Sequence, residues 1–314
     1  MKPLLFLLLL LNPCLCFGQT LNTTPRGFYD LPTGFEDVGG WALSSEDARF
    51  GGLSGLMIDN QGRLLALSDH GYLLTLNFTD DLLANGKLAR PLSFEILDLT
   101  LLSTHQPASY RRDAESLAWL DRGGDPRLYI SLERDHRIQQ HFMDGRAELR
   151  LSKPIALQST FGNTGIEALS SLPGTCLFAV TEGVRRQGGL RAFKYCGGTT
   201  WPTRVYMPSD EGYAPTAADL SPDGQHVYLI ERKFEGLLSG FSARLVRIEV
   251  SDIDANKPLE PELILDLSDH MLPTWNLEGL ALTQGDDGRL IVLVVSDDNY
   301  QGFLPSVLLG LALN

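Results

Sequence analysis

Positive charge, cysteine, helical periodicity and long apolar runs are all scarce in this 314-residue chain. Its 26 Lys and Arg are outnumbered by 39 Asp and Glu, a formal charge of −13. That balance excludes a nucleic-acid backbone or an anionic membrane as the main partner, since like charges repel unless a cation intervenes. Four cysteines are too few for a disulfide framework. The longest apolar run, residues 4–11, falls short of the ~20 residues that cross a bilayer, and no second run follows, so no membrane span is expected. Signatures of common catalytic folds are missing too: there is no GxSxG elbow, HExxH helix, Walker loop or CxxC.

The apolar run has another reading. Preceded by Lys2, broken by Pro13 and ending in Cys16-Phe17-Gly18, residues 1–18 have the order of a secretory signal peptide. A lipoprotein anchor at Cys14 or Cys16 would need small residues before the cysteine, and neither has the usual pair. The expected mature protein is therefore a secreted or periplasmic domain spanning 19–314. It keeps Cys176 and Cys196, on neighbouring strands of one repeat, which either pair across that hairpin or stay as buried thiols.

Five segments share a pattern: 51–76, 113–141, 164–183, 214–233 and 275–299. Each holds a short apolar strand, a turn of Asp, Gly or Pro, a second apolar strand and then an acidic residue, the pattern of a hairpin. Weaker strands follow at 91–99, 190–195, 243–250, 261–267 and 306–313, and only residues 80–86 suggest a helical turn. A 50–60-residue repeat of β-hairpins reads as the blades of an all-β, single-domain β-propeller. Five blades are favoured, closed by an N-terminal strand near 39–43 that joins the C-terminal blade; six remain open if 23–50 hides a divergent one.

Aligned on the first strand, Ser54, Glu115, Glu167, Ala218 and Glu278 form one column. After the second strand, Asp69, Glu133, Glu182, Glu231 and Asp297 form another, acidic in every copy. Equivalent inner-strand positions of a propeller converge on its axis. Glu115, Glu167 and Glu278 then crowd together, and a hard divalent cation with oxygen ligands, calcium above all, relieves their repulsion. Bases accompany the second column: Arg134, Arg185 and Arg186, and Arg232 with Lys233. Such a mouth suits a small anionic or ester ligand. His105, His226 and His270 lack partner spacing and are read as structural.

These residues resemble the phytase-like family, described by its esterase-like activity. The matching stretches are GGLSGL at 51–56, DAESLA at 113–118, GIEAL at 165–169, LIERKF at 229–234, NLEGLAL at 276–282 and VVSDDNY at 294–300. The resemblance implies a calcium-associated propeller that acts on or binds a phosphoester or other ester. It makes Glu115, Glu167 and Glu278 the axial metal ligands, and places the Glu231-Arg232 pair and Asp297-Asp298-Asn299 at the channel mouth. Two readings follow. In one, the protein is a monomeric metal-dependent ester hydrolase with Glu231 as base and Arg134 or Arg232 steadying developing charge. In the other it is a secreted binding or scaffold propeller whose cation is structural.

Overall fold

A computed structural model of the protein describes residues 18–100, 113–134, 136–158, 164–255, 257–300 and 304–314. Residues 1–17 of the expected leader, and His105, lie outside them. The architecture follows from strands that are apolar on both faces. In the run Leu64–Ser68, Leu64 and Ala66 pack to one side and Leu65 and Leu67 to the other. Because successive side chains alternate, such a strand needs a sheet against each face. A ring of sheets gives every sheet two neighbours.

With strands numbered β1–β22 in chain order, blade I runs outward through β4 (Leu53–Ile58), β5 (Leu64–Ser68), β6 (Tyr72–Phe78) and β7 (Pro91–Asp98), with β1 (Gln19–Thr20) at its edge. Blade II holds β8 (Ala114–Asp121), β9 (Pro126–Leu132), β10 (Arg137–Phe142) and β11 (Ala147–Arg150). Blade III holds β12 (Ile166–Leu172), β13 (Cys176–Arg186), β14 (Gly189–Tyr195) and β15 (Thr203–Tyr206). Blade IV holds β16 (Ala214–Leu220), β17 (His226–Gly236), β18 (Gly240–Glu249) and β19 (Glu262–Asp266). Blade V holds β20 (Asn276–Gln284), β21 (Leu290–Asp297) and β22 (Ser306–Leu313), completed by β3 (Phe35–Ser44) and β2 (Asn22–Arg26).

The inner strands β4, β8, β12, β16 and β20 close a ring, so five blades form the propeller and the six-blade option falls away. Residues 23–50 hold no extra blade; they supply the closing strands, and the pairing of Leu308 with Trp41 fixes the seam. The core is five interblade layers, typified by the clusters that join Leu67 with Leu128, Leu177 with Tyr129, and Leu229 with Val180. Cys176 and Cys196 are joined by a disulfide at the end of the β13–β14 hairpin away from the acidic residues.

Candidate functional site

Strand pairing sets the columns. Every inner strand carries a bulge near its start, where one extra residue is left between two pairs: Ser54, Glu115, Glu167, Thr216 and Glu278. A bulge re-aims the extra side chain, here toward the channel. Thr216, not Ala218, is thus the blade IV member; Ala218 is buried between blades III and IV. The Ser54 hydroxyl donates to Ala114 O at 2.6 Å and the Thr216 hydroxyl to Leu277 O at 2.9 Å, each tying its blade to the next.

The second column also shifts in blade IV. The pairs Leu53–Ser68, Ala114–Leu132, Ile166–Thr181, Pro215–Glu231 and Leu277–Ser296 are equivalent. The residues that follow them are Asp69, Glu133, Glu182, Arg232 and Asp297. The column is therefore not acidic throughout: an arginine holds its fourth place. Glu231 points the opposite way, fully buried, and accepts hydrogen bonds from Tyr206 Oη at 2.8 Å, from Ser209 N at 3.1 Å and from Ser209 Oγ.

Among the described residues the carboxylates gather in two triads, one holding Glu115 and the other Glu167, and Glu278 is in neither. Single oxygens of Asp113, Glu115 and Glu133 lie within 4.8 Å of one another, as do those of Glu133, Glu167 and Glu182. Glu133 is common to both triads. Burial, reinforced by the surrounding carboxylates, lifts Glu115 and Glu167 well above the usual range. Burial likewise raises Glu133 and Asp69 to about 7 and Asp297 to about 8, with neighbouring acids adding to the shift. Asp113 is raised by burial against the opposing pull of Arg134, with which it forms an ion pair. On the other side of the channel Arg232, its side chain 15% exposed, bonds Glu278 and Asn276 and reaches Glu182 at 3.4 Å.

Close packing at the mouth demands glycine twice. Gly52, at φ +58°, would drive a Cβ to 2.4 Å from Asp69 Oδ1, and a Cβ on Gly165 would meet His136 Nδ1 at 2.7 Å and Glu133 Cγ at 3.0 Å. The donor set is all oxygen, carboxylate and crowded, which fits a hard cation such as calcium and not a soft one.

The model of the phytase-like family, described as esterase-like activity of phytase, matches residues 48–300. The chain belongs to this family. No curated protein matches it. Among solved structures, this phytase-like chain is similar to the Malassezia sympodialis allergen Mala s 1, at 17% identity over 91% of this chain and 92% of that one, TM-score 0.47. Regucalcin, a calcium-binding protein of Agrobacterium tumefaciens, shares 14% identity over 83% and 90%, TM-score 0.46. The aldose sugar dehydrogenase of Streptomyces coelicolor shares 13% over 90% and 99%, TM-score 0.46. Similarities this low carry no functional inference.

The remaining candidates of the phytase-like chain are distributed around the mouth. Arg134 stands at the blade II rim. Asp298 ties blade V to blade I, accepting from Gly52 N at 2.9 Å and Ser306 Oγ at 2.9 Å. The Asn299 amide caps Asp297 Oδ1 at 2.7 Å, with its own side chain on a left-handed residue at φ 48°. Asp113 escapes column reading because its counterparts are Gly52, Gly165, Ala214 and Asn276; its only sequence signal is its place at the head of DAESLA. The opposite mouth is a cavity of about 630 Å³ lined by Trp119, Asp121 and Asp219, with no basic residue among the described residues of its lining. Its two carboxylates come from different blades and, among the described residues, make no triad, so the chemistry belongs to the acidic end.

Proposed function

We propose that this phytase-like propeller is a secreted, calcium-dependent hydrolase of phosphoric or other esters. The carrying observation is the pair of carboxylate triads that share Glu133. Asp113, Glu115, Glu133, Glu167 and Glu182 would hold the cation; Glu278, already engaged by Arg232, flanks it. A hard divalent cation there supplies Lewis acidity toward an ester oxygen and acidifies water. Arg232, oriented by Glu278, Asn276 and Glu182, presents fixed positive charge toward an anionic oxygen entering the mouth. Asp69 and Asp297, raised to about 7 and 8, are the proton acceptors of this scheme. Glu231 acts as a positioning residue: its bonds to Tyr206 and Ser209 fix the strand from which Arg232 projects. Arg134 holds Asp113 in place. Secretion is supported by the Cys176–Cys196 disulfide together with the leader sequence.

A second reading, a binding propeller with a structural cation, is favoured by the use of Ser54 and Thr216 as ties between blades. Metal analysis followed by phosphomonoester and carboxylester assays, with and without EDTA, separates the two. Turnover lost on chelation and in Glu133→Gln, with the fold retained, supports the hydrolase. A metal-loaded protein that turns over no ester overturns it.

A further inference from the structure

Two hairpins rise beyond the acidic mouth, and they carry opposite chemistry. In blade III, β13 runs past Glu182 to Arg185 and Arg186, the latter two paired with Leu190 and Gly189 near the tip. Both arginines are exposed, and Arg186 lines an outer cleft with Thr203 and Lys257. In blade IV, β17 runs past Arg232 for four more residues to Gly236. At about 3.3 Å per residue, the tip stands about 13 Å beyond the ring. Its apex is apolar: Leu237 is 96% and Leu238 102% exposed, and Phe234 beside them is 56% exposed.

The apolar hairpin is braced and continuous with the site. Phe234 faces Phe241 across the strands, with ring centroids 5.3 Å apart. Phe241 N donates to Pro273 O at 2.8 Å, which brings the half-exposed Leu272 to the same corner. The Arg232 guanidinium lies 5.5 Å from the Phe241 ring centroid. Hydrocarbon surface therefore begins where the guanidinium of the ring ends. Isolated exposed leucines are ordinary on a protein surface; a fully exposed pair at a supported tip, joined to the mouth through an aromatic pair and an arginine, is not.

We propose that the site takes amphiphilic esters: an anionic head enters the mouth at Arg232, while an alkyl chain lies along Phe241, Phe234, Leu237 and Leu238. This deepens, and rests on, the ester-hydrolase reading for the choice of head group. The fit is complementary in both parts, since hydrocarbon gains by leaving water against the hairpin and the head gains charge-assisted hydrogen bonds.

The test measures binding of monoalkyl phosphates, butyl to dodecyl, to the full calcium-loaded protein first below and then above their micelle-forming concentrations, beside hydrolysis of the matching 4-nitrophenyl esters. Dodecyl phosphate is expected to bind at least tenfold tighter than butyl phosphate. In the Leu237→Ser/Leu238→Ser double variant that gain disappears, while butyl phosphate, too short to reach the tip, binds as before. Affinity independent of chain length in the wild type, or a gain that survives in the variant, overturns the proposal. So does a concentration-dependent dimer, seen by sedimentation, that the double variant abolishes, because the tip then serves a second copy. Chain-length-dependent binding with no ester turned over sinks the hydrolase reading alone, and hydrolysis indifferent to chain length sinks this inference alone. Gain appearing only above the micelle threshold assigns the tip to a lipid surface and overturns binding of single amphiphiles.

Discussion

The two sides of the acidic mouth solve one electrostatic problem differently. On the side of blades IV and V, the half-buried charge of Glu278 is met from within the chain by Arg232, helped by Asn276. On the side of blades II and III, five carboxyl groups crowd together, with Arg134 paired to Asp113 at the rim. Carboxylates in such a place either keep protons or recruit a cation. The difference teaches that a ring of acids is not uniformly a metal site. One arginine, placed one residue from where an acid column predicts glutamate, closes half of it.

Removing the cation should show the largest effect. Asp69, Glu133 and Asp297 have folded pKa values of about 7, 7 and 8, above their unfolded values near 4. A raised folded pKa means that stability is full below about pH 4 and is lost as pH climbs through 7 to 8. In EDTA the melting temperature should therefore fall across that window. With calcium, which requires the charged ligands, it should hold or rise. At pH 8 the gap between the two is expected to be about 10 °C or more. Parallel curves with and without EDTA would erase the contrast between the two sides.

Arg232→Met comes next. It leaves Glu278 without its partner, and breaking a buried pair costs about 3–5 kcal/mol. Denaturant unfolding at pH 8 measures this. Glu133→Gln should then weaken calcium about 100-fold, roughly 2.7 kcal/mol, because both triads lose a ligand. Glu278→Gln should weaken it less than tenfold, both affinities being read by calorimetric titration with calcium. Equal effects would show that Glu278 is a ligand after all, as the sequence pattern suggests. The smallest effect is expected from Ser54→Ala or Thr216→Val, about 1 kcal/mol each from one lost hydrogen bond, with calcium affinity unchanged.

Much of this is readable from the residues alone. The five hairpins, their outer strands and the closing strand emerge from apolar runs between turn residues, because each blade must bury both faces and repeats the same solution. The gathering of Glu115 and Glu167 with neighbouring carboxylates follows from that repeat, whereas Glu278 joins neither triad. The two misplacements in blade IV differ in kind: the bulge falls at Thr216, two residues before Ala218, whereas Glu231 lies one residue before Arg232. In LIERK the strand alternates, so a slip of one residue exchanges inside for outside, and the chain offers Glu and Arg side by side. Alignment favours the acid; the pairing of Pro215 with Glu231 puts the arginine in the ring. Asp113 is hidden for a different reason, since no other blade repeats it.

The order of residues thus determined the blades, their number within one, and a surplus of negative charge at one end of the channel, all of them consequences of periodicity and composition. Which carboxyls touch, which one an arginine claims, and which side is left in need of a cation were decided only by the closed ring. Those outcomes depend on distances of a few ångströms between blades some fifty to sixty residues apart in the chain, set by bulges and strand register that no local pattern encodes.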